Sequence, residues 1–228
     1  GKPVVPTLVD TIPAKPNEIT AGATTLDLRN TVLAEAPSLT RASSLGMYVD
    51  TSGRQFTNPI QGLEHLTNLK NVNLIFGIEA TNYTDSRDIK VGENILEPFN
   101  EAITKISKNK KTKFNLNSGS LTWIATGTQN PNDNTFNAVY LSKIPYTAFA
   151  KDQDIYNFMD GLEQRYGVEG VNSREKALFD KLNAIGKGEP RLFAQAVDQM
   201  KGHQYANTQQ RVEATGNILD KEFSYLRN

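Results

Sequence analysis

The hydrophobic period of this chain changes once, near Lys151, and that change limits the possible folds more than any other feature. Before it, Val72, Leu74, Phe76 and Ile78 alternate with Asn73, Ile75 and Gly77, the period of two that a strand with one buried face requires. After it, Ile155, Phe158, Met159, Leu162 and Tyr166 recur every three or four residues, which places them on one face of a helix. The expectation is an α+β chain: a β-rich body over residues 1–150 and an α-helical segment over 151–228.

Within the body, Pro3, Pro6, Pro13, Pro16 and Pro37 punctuate short β-prone runs such as Thr24 to Leu28. Proline removes a ladder donor and fixes φ, so this stretch should form edge strands and extended connections. A strand is expected over Leu45 to Val49, then a turn at Asp50 to Arg54 built on an Asx acceptor and Gly53. Ile60, Leu63, Leu66 and Leu69 recur every third residue and predict a short helical turn. A polar link holding Asp85 and Asp88 leads to a helix over Leu96 to Ile106, with Pro98 in its first turn. Strands are expected over Lys113 to Thr126 and Thr135 to Ile144. The turn-rich run Gln129 to Asn134 would join them as a long-looped hairpin.

The tail reads as successive helices. Asp152 or Asp154 caps the first, which stops at Gly167; Asn172 or Ser173 caps the second, with Leu178, Phe179, Leu182 and Ile185 as its stripe. Glu189-Pro190 opens a third, carrying Leu192, Phe193, Ala196, Val197 and Met200 and ending at Gly202. A last segment runs from about Tyr205 to the terminus, with Val212, Leu219, Phe223 and Leu226 near one face.

Composition narrows the function. The 228 residues fit one large domain or two small ones, enough to bury a core without a metal or crosslink. Twenty-five basic residues balance twenty-five acidic ones, so no global field draws nucleic acid to the chain. Cysteine is absent, which excludes disulfides, cysteine-ligated zinc and a thiol nucleophile. No apolar run approaches the ~20 residues of a membrane-spanning helix. The chain opens on Gly1 and Lys2 and so reads as a piece of a longer protein whose export signal would lie upstream.

Groups for catalysis are few. His65 and His203 are the only histidines, and each reads as a surface or capping imidazole. Ser118-Gly119-Ser120 reads as a turn or bulge, and Gly186-x-Gly188 follows a helix instead of opening one. Asp85, Asp88, Glu93 and Glu97 match neither a calcium loop nor a certified carboxylate pair and read as solvated charge; Asn130 to Asn134 reads the same way. Lys105, Lys108, Lys110, Lys111 and Lys113 read as cations favoured at a helix C-terminus. Trp123 and Tyr140 offer the outline of a sugar-stacking platform, but strand aromatics belong to the core more often. No catalytic, metal or cofactor residue is assigned, and the chain is expected not to be an enzyme.

Three runs carry a family resemblance: Phe179 to Gly186, Val197 to Arg211 and Asn217 to Phe223. Together they resemble the segment upstream of the translocator barrel in type V autotransporters, closest to fusobacterial-type surface autotransporters. Leu45 to Arg54 and the Trp123 to Phe149 strands look like the C-terminal end of such a passenger, where an autochaperone-like cap closes a β-solenoid. The resemblance implies a non-catalytic passenger segment that assists folding and display of an adhesin or virulence passenger at the outer membrane of a Gram-negative bacterium. It implies the protein's own C-terminal β-barrel as partner, with its strands beyond Asn228, and a host or bacterial surface ligand. The isolated segment is expected to be a monomer. A hydrolase passenger and a binding module gripping a partner through its helical tail are the alternative readings.

Overall fold

Alternation at Leu45, Met47 and Val49, and again at Val72, Leu74 and Phe76, builds two strands whose inward residues are all but completely buried. The computed structural model describes residues 43–108 and 111–210, with two short strands at 5–6 and 18–21. The strands are β1 (Val5–Pro6), β2 (Glu18–Ala21), β3 (Ser44–Val49), β4 (Asn71–Phe76), β5 (Asp88–Lys90), β6 (Lys113–Ser118), β7 (Trp123–Gln129) and β8 (Phe136–Lys143). The helices are α1 (Glu93–Ser107), α2 (Gln153–Arg165), α3 (Arg174–Asn183) and α4 (Pro190–Gln210). Helix and strand are thus mixed, as an α+β chain requires.

The strands form two four-stranded sheets, one ordered β2-β3-β4-β6 and the other β1-β7-β8-β5. In the first, every neighbouring pair is parallel, and the strands follow one another in chain order. Register is kept throughout: Leu45 stands beside Val72 and Val72 beside Phe114, while Met47, Leu74 and Leu116 form the next row. On the other face, Asn115 Nδ2 donates to Asn73 Oδ1 at 3.0 Å, and Asn73 Nδ2 donates to Ser44 Oγ at 3.4 Å. In the second sheet β1 and β5 run antiparallel to β7 and β8 respectively.

Contacts divide the chain into two compact units. The first gathers the described residues up to Ala80 with Asp88–Gly119 and Ile124–Ser142; the second gathers Thr81–Arg87, Ser120–Trp123 and the described residues from Lys143 onward. In the first unit Leu63, Leu66 and Leu69 are buried, each at 3% exposure or less. A single 3₁₀ turn, Leu63–His65, begins this run. Burying each leucine stabilises the unit by ~1.5–3 kcal/mol relative to leaving it exposed. Ile95, Leu96, Phe99, Ala102, Ile103 and Ile106 make the buried stripe of α1.

The core of the second unit is aromatic. Tyr146 stacks on Phe179 with ring centroids 6.1 Å apart, Tyr166 meets Phe179 edge-on at 5.1 Å, and Phe193 lies 5.2 Å from Phe149. Asp152 Oδ1 accepts the Ile155 backbone N–H at 2.8 Å and caps α2, and Ser173 Oγ accepts the Lys176 N–H at 3.0 Å and caps α3. Gly167, at φ 81°, ends α2 in the left-handed region, where glycine alone is unstrained.

Several expectations are corrected. The strand foreseen over Lys113 to Thr126 is two strands, β6 and β7, in different sheets, because the chain turns over at Gly119 to Thr122. The polar link holding Asp88 contains the short strand β5, which pairs with β8. Helix α1 starts at Glu93, so Pro98 lies beyond its first turn. Helix α4 runs unbroken through Gly202 to Gln210 where a stop was foreseen. The expected strand at Thr24 to Leu28 and the stripe of Val212 to Leu226 lie outside the described residues.

Candidate functional site

The residues weighed from sequence do not converge. His65 is exposed at the end of its 3₁₀ turn, and His203 falls within α4. Asp88 accepts a hydrogen bond from Ser142 Oγ at 2.5 Å. Glu93 and Glu97, with Glu101 and Asn100, line a shallow groove beside Thr135 and Phe136. Asp85 leaves one carboxylate oxygen buried without a hydrogen-bond partner. Lys105, Lys108, Lys111 and Lys113 are exposed, and Tyr140 is half-exposed on β8. Trp123 is wholly buried, and its indole N–H donates to Asn183 Oδ1 at 2.9 Å. Among the described residues no group of three or more His, Asp or Glu side chains is placed to hold a metal, and no helix is long and apolar enough to cross a membrane.

The strongest electrostatic arrangement was not foreseen, and it lies in the second unit. Lys143, the last residue of β8, is positioned by its backbone: its N–H donates to Arg87 O at 2.9 Å, and the next N–H, of Ile144, donates to Thr122 O at 2.8 Å. The Lys143 side chain, 1% exposed, turns inward and donates from Nζ to Glu163 Oε1 at 2.6 Å and to Ile144 O at 3.2 Å. Its ammonium sits 3.5 Å from the centroid of the Tyr146 ring and 5.0 Å from that of Tyr166, an attraction between a cation and π faces that strengthens away from water.

Glu163 is the hub of this arrangement. The Tyr146 backbone N–H donates to its Oε1 at 2.7 Å, and the Arg87 guanidinium pairs with Oε2. Arg87 also donates to Glu163 O at 2.6 Å, a carbonyl in the last turn of α2 that accepts the Tyr166 N–H at 3.3 Å as well. Burial pushes the Glu163 carboxyl upward, but the hydrogen bonds from Lys143, Tyr146 and Arg87 outweigh it and hold the group below the usual glutamate range. Burial also drives the Lys143 ammonium down to about 8, against the raising effect of Glu163. The Tyr146 hydroxyl is buried with no hydrogen-bond partner, and burial raises its pKa well above the usual tyrosine value.

Such a site holds an amine of lowered basicity against a carboxyl group, inside an aromatic wall. No external substrate reaches an amine so enclosed, so its chemistry is confined to its own neighbours. Sequence reasoning missed it because Lys143 and Glu163 share no motif. The usable signal was Lys143-Ile-Pro-Tyr146, a lysine that ends a strand just before a buried aromatic.

A second polar arrangement closes the C-terminal ends of β3 and β4 in the first unit. Tyr48 Oη donates to Glu79, the Thr51 N–H donates to Glu79 Oε1 at 3.2 Å, and Thr51 Oγ1 donates to Gly77 O at 2.9 Å. A side chain at Gly77 would collide with the Tyr48 hydroxyl and the Glu79 carboxylate. Burial first, and Glu79 second, push the Tyr48 hydroxyl above the usual tyrosine range.

No protein-family description, curated protein or solved structure matches this chain.

Proposed function

We propose that this chain is a non-catalytic segment of an exported surface protein, in which a short solenoid serves display and recognition. The observation that carries the reading is the parallel ladder. Glu18, Ser44, Asn71 and Lys113 stand in one row of parallel strands taken in ascending chain order, with α1 and the other-sheet strand β5 inserted between β4 and β6. Rows of Leu, Val, Met and Phe on one face alternate with Ser44 and Asn73 on the other, where both are also buried, an arrangement that fits a chain wound in successive turns.

The finer type follows from the approach to β4. Leu63, Leu66 and Leu69, then Val72 and Leu74, are spaced by three and then by two and are all buried. A 3₁₀ turn lies in this run and a parallel strand follows it. This spacing supports reading the run as a leucine-rich repeat, a turn of ~20–29 residues with one strand on the inner side. The passenger of a type V autotransporter, with a β-solenoid end, a host or bacterial surface ligand and a β-barrel as partner, is the specific setting we propose. The sequence resemblance in the helical segment supports that setting.

The test is display. Antibodies raised against residues 43–210 should label intact cells of the source bacterium, and external protease should remove the epitope. When the chain is fused ahead of a translocator barrel, deleting β6 to β8 should reduce surface display severalfold. Labelling only after cell lysis would overturn the surface reading; surface labelling with display indifferent to that deletion would overturn the folding-cap role alone.

A further inference from the structure

We propose that Lys143 and Glu163 condense into an isopeptide bond that ties the end of β8 to α2. This inference rests on the geometry of the second unit alone and is independent of the surface reading above.

Four observations converge on it. The amine and the carboxyl are held at hydrogen-bond distance, with Nζ 2.6 Å from Oε1, which brings the nitrogen near the carboxyl carbon at the ~3–3.5 Å typical of reacting atoms. The pair is fixed on both sides. Strand-end hydrogen bonds to Arg87 and Thr122 hold the lysine backbone, and α2 holds the glutamate. The Lys143 side chain is almost wholly withdrawn from solvent, against the rings of Tyr146 and Tyr166. Finally, the Tyr146 N–H and the Arg87 guanidinium already donate to the two carboxyl oxygens, where negative charge would build during attack.

The reaction balances without a co-reactant. The ammonium gives a proton to Glu163, leaving a neutral amine and a neutral acid, a transfer that burial of Lys143 favours and that the donors to Glu163 oppose. The nitrogen lone pair forms the N–C bond at Cδ, and one oxygen carries the developing charge against Arg87. The other leaves as water, taking the transferred proton and a second from the nitrogen. The product is an amide with one remaining N–H and no net charge. Nothing is oxidised or reduced.

Lys176 provides an internal comparison. It too is buried and pairs with Asp180, but both lie on α3 one turn apart, where a bond would join residues the helix already holds together.

The experiment is intact-mass spectrometry of the whole purified chain under denaturing conditions, before and after prolonged incubation of the folded protein at pH 7 to 9. The expected result is a mass lower than the unmodified chain by one water, with a branched proteolytic peptide joining Lys143 to Glu163. Lys143→Arg and Glu163→Ala should restore the full mass, and Glu163→Gln should lose ammonia in place of water. Circular dichroism establishes that each protein is folded; if a variant does not fold, the branched peptide in the parent chain decides alone. A folded parent chain that keeps its full mass after incubation, or a deficit mapped to another pair, overturns the proposal.

Discussion

The indole N–H of Trp123 donates to Asn183 Oδ1 at 2.9 Å, and the same asparagine donates from Nδ2 to Tyr166 Oη at 3.2 Å. One amide thus satisfies a buried tryptophan and a buried tyrosine at once. Asn183→Ala should cost roughly 1–3 kcal/mol, the penalty for stranding a buried polar group. Trp123 is the sole tryptophan, so its fluorescence reports this region directly. A lower urea midpoint with a shifted emission maximum is the expected outcome; an unchanged midpoint would show that the pair contributes nothing.

Gly127 and Gly161 should respond in opposite directions to the same substitution. A β-carbon on Gly127 would lie 2.7 Å from Ala138 O and 2.9 Å from Leu116 Cδ1, with backbone on one side and packed core on the other. Gly127→Ala should therefore destabilise by ~1–3 kcal/mol, as overpacking does. Gly161, inside α2, meets nothing within 4 Å, so Gly161→Ala should stabilise by about 0.5–1 kcal/mol through helix propensity. Paired thermal melts check both signs.

Burial raises the Asp180 carboxyl above its ordinary value of 3.8, although Lys176 pulls it down. With the folded-state value above the unfolded one, the folded chain binds more protons in the interval between them. The contribution of this group is therefore present in full below pH 3.8 and is lost as pH rises through the folded value. Asp180→Asn should flatten the fall in stability just above pH 3.8, read as the urea midpoint against pH. A slope identical to that of the parent chain would exclude Asp180 as its source.

Removing one member of the Lys176–Asp180 pair should cost more than removing both. Asp180→Leu leaves the Lys176 ammonium, 2% exposed, with the Thr81 carbonyl as its remaining acceptor. The double variant Lys176→Met/Asp180→Leu removes the desolvated charges together. A double-mutant cycle should give a coupling of ~1–3 kcal/mol; a coupling near zero would mean that the pair is screened by solvent.

What could be read from the residues was whatever repeats locally. Strands β3 and β4, helices α2 and α3, the caps Asp152 and Ser173 and the stop at Gly167 all follow from periodicity and backbone chemistry within a dozen positions. Strand β5 left no such trace: Asp88, Ile89 and Lys90 are strand only because Ser142, Leu141 and Tyr140 lie alongside. Gly202 misled because an interior glycine costs a helix only ~1 kcal/mol, and the buried side chains of Phe193, Val197 and Met200 offset that. Leu63, Leu66 and Leu69 carried the right message at the wrong scale. Their spacing describes an inward-facing wall leading into a parallel strand, and the partner strands that define it are distant in sequence. The Lys143–Glu163 contact is tertiary in origin, since neither residue's neighbours specify where its charge will go.

The row-by-row parallel ladder also bears on how this chain can change in length. Leu45, Val72 and Phe114 continue one buried row across β3, β4 and β6, although α1 and β5 separate β4 from β6 in the chain, so each pair of strands contributes its own interface. Losing β2 should shorten the stack and leave β3, β4 and β6 paired, much as a ladder sawn at one end still stands.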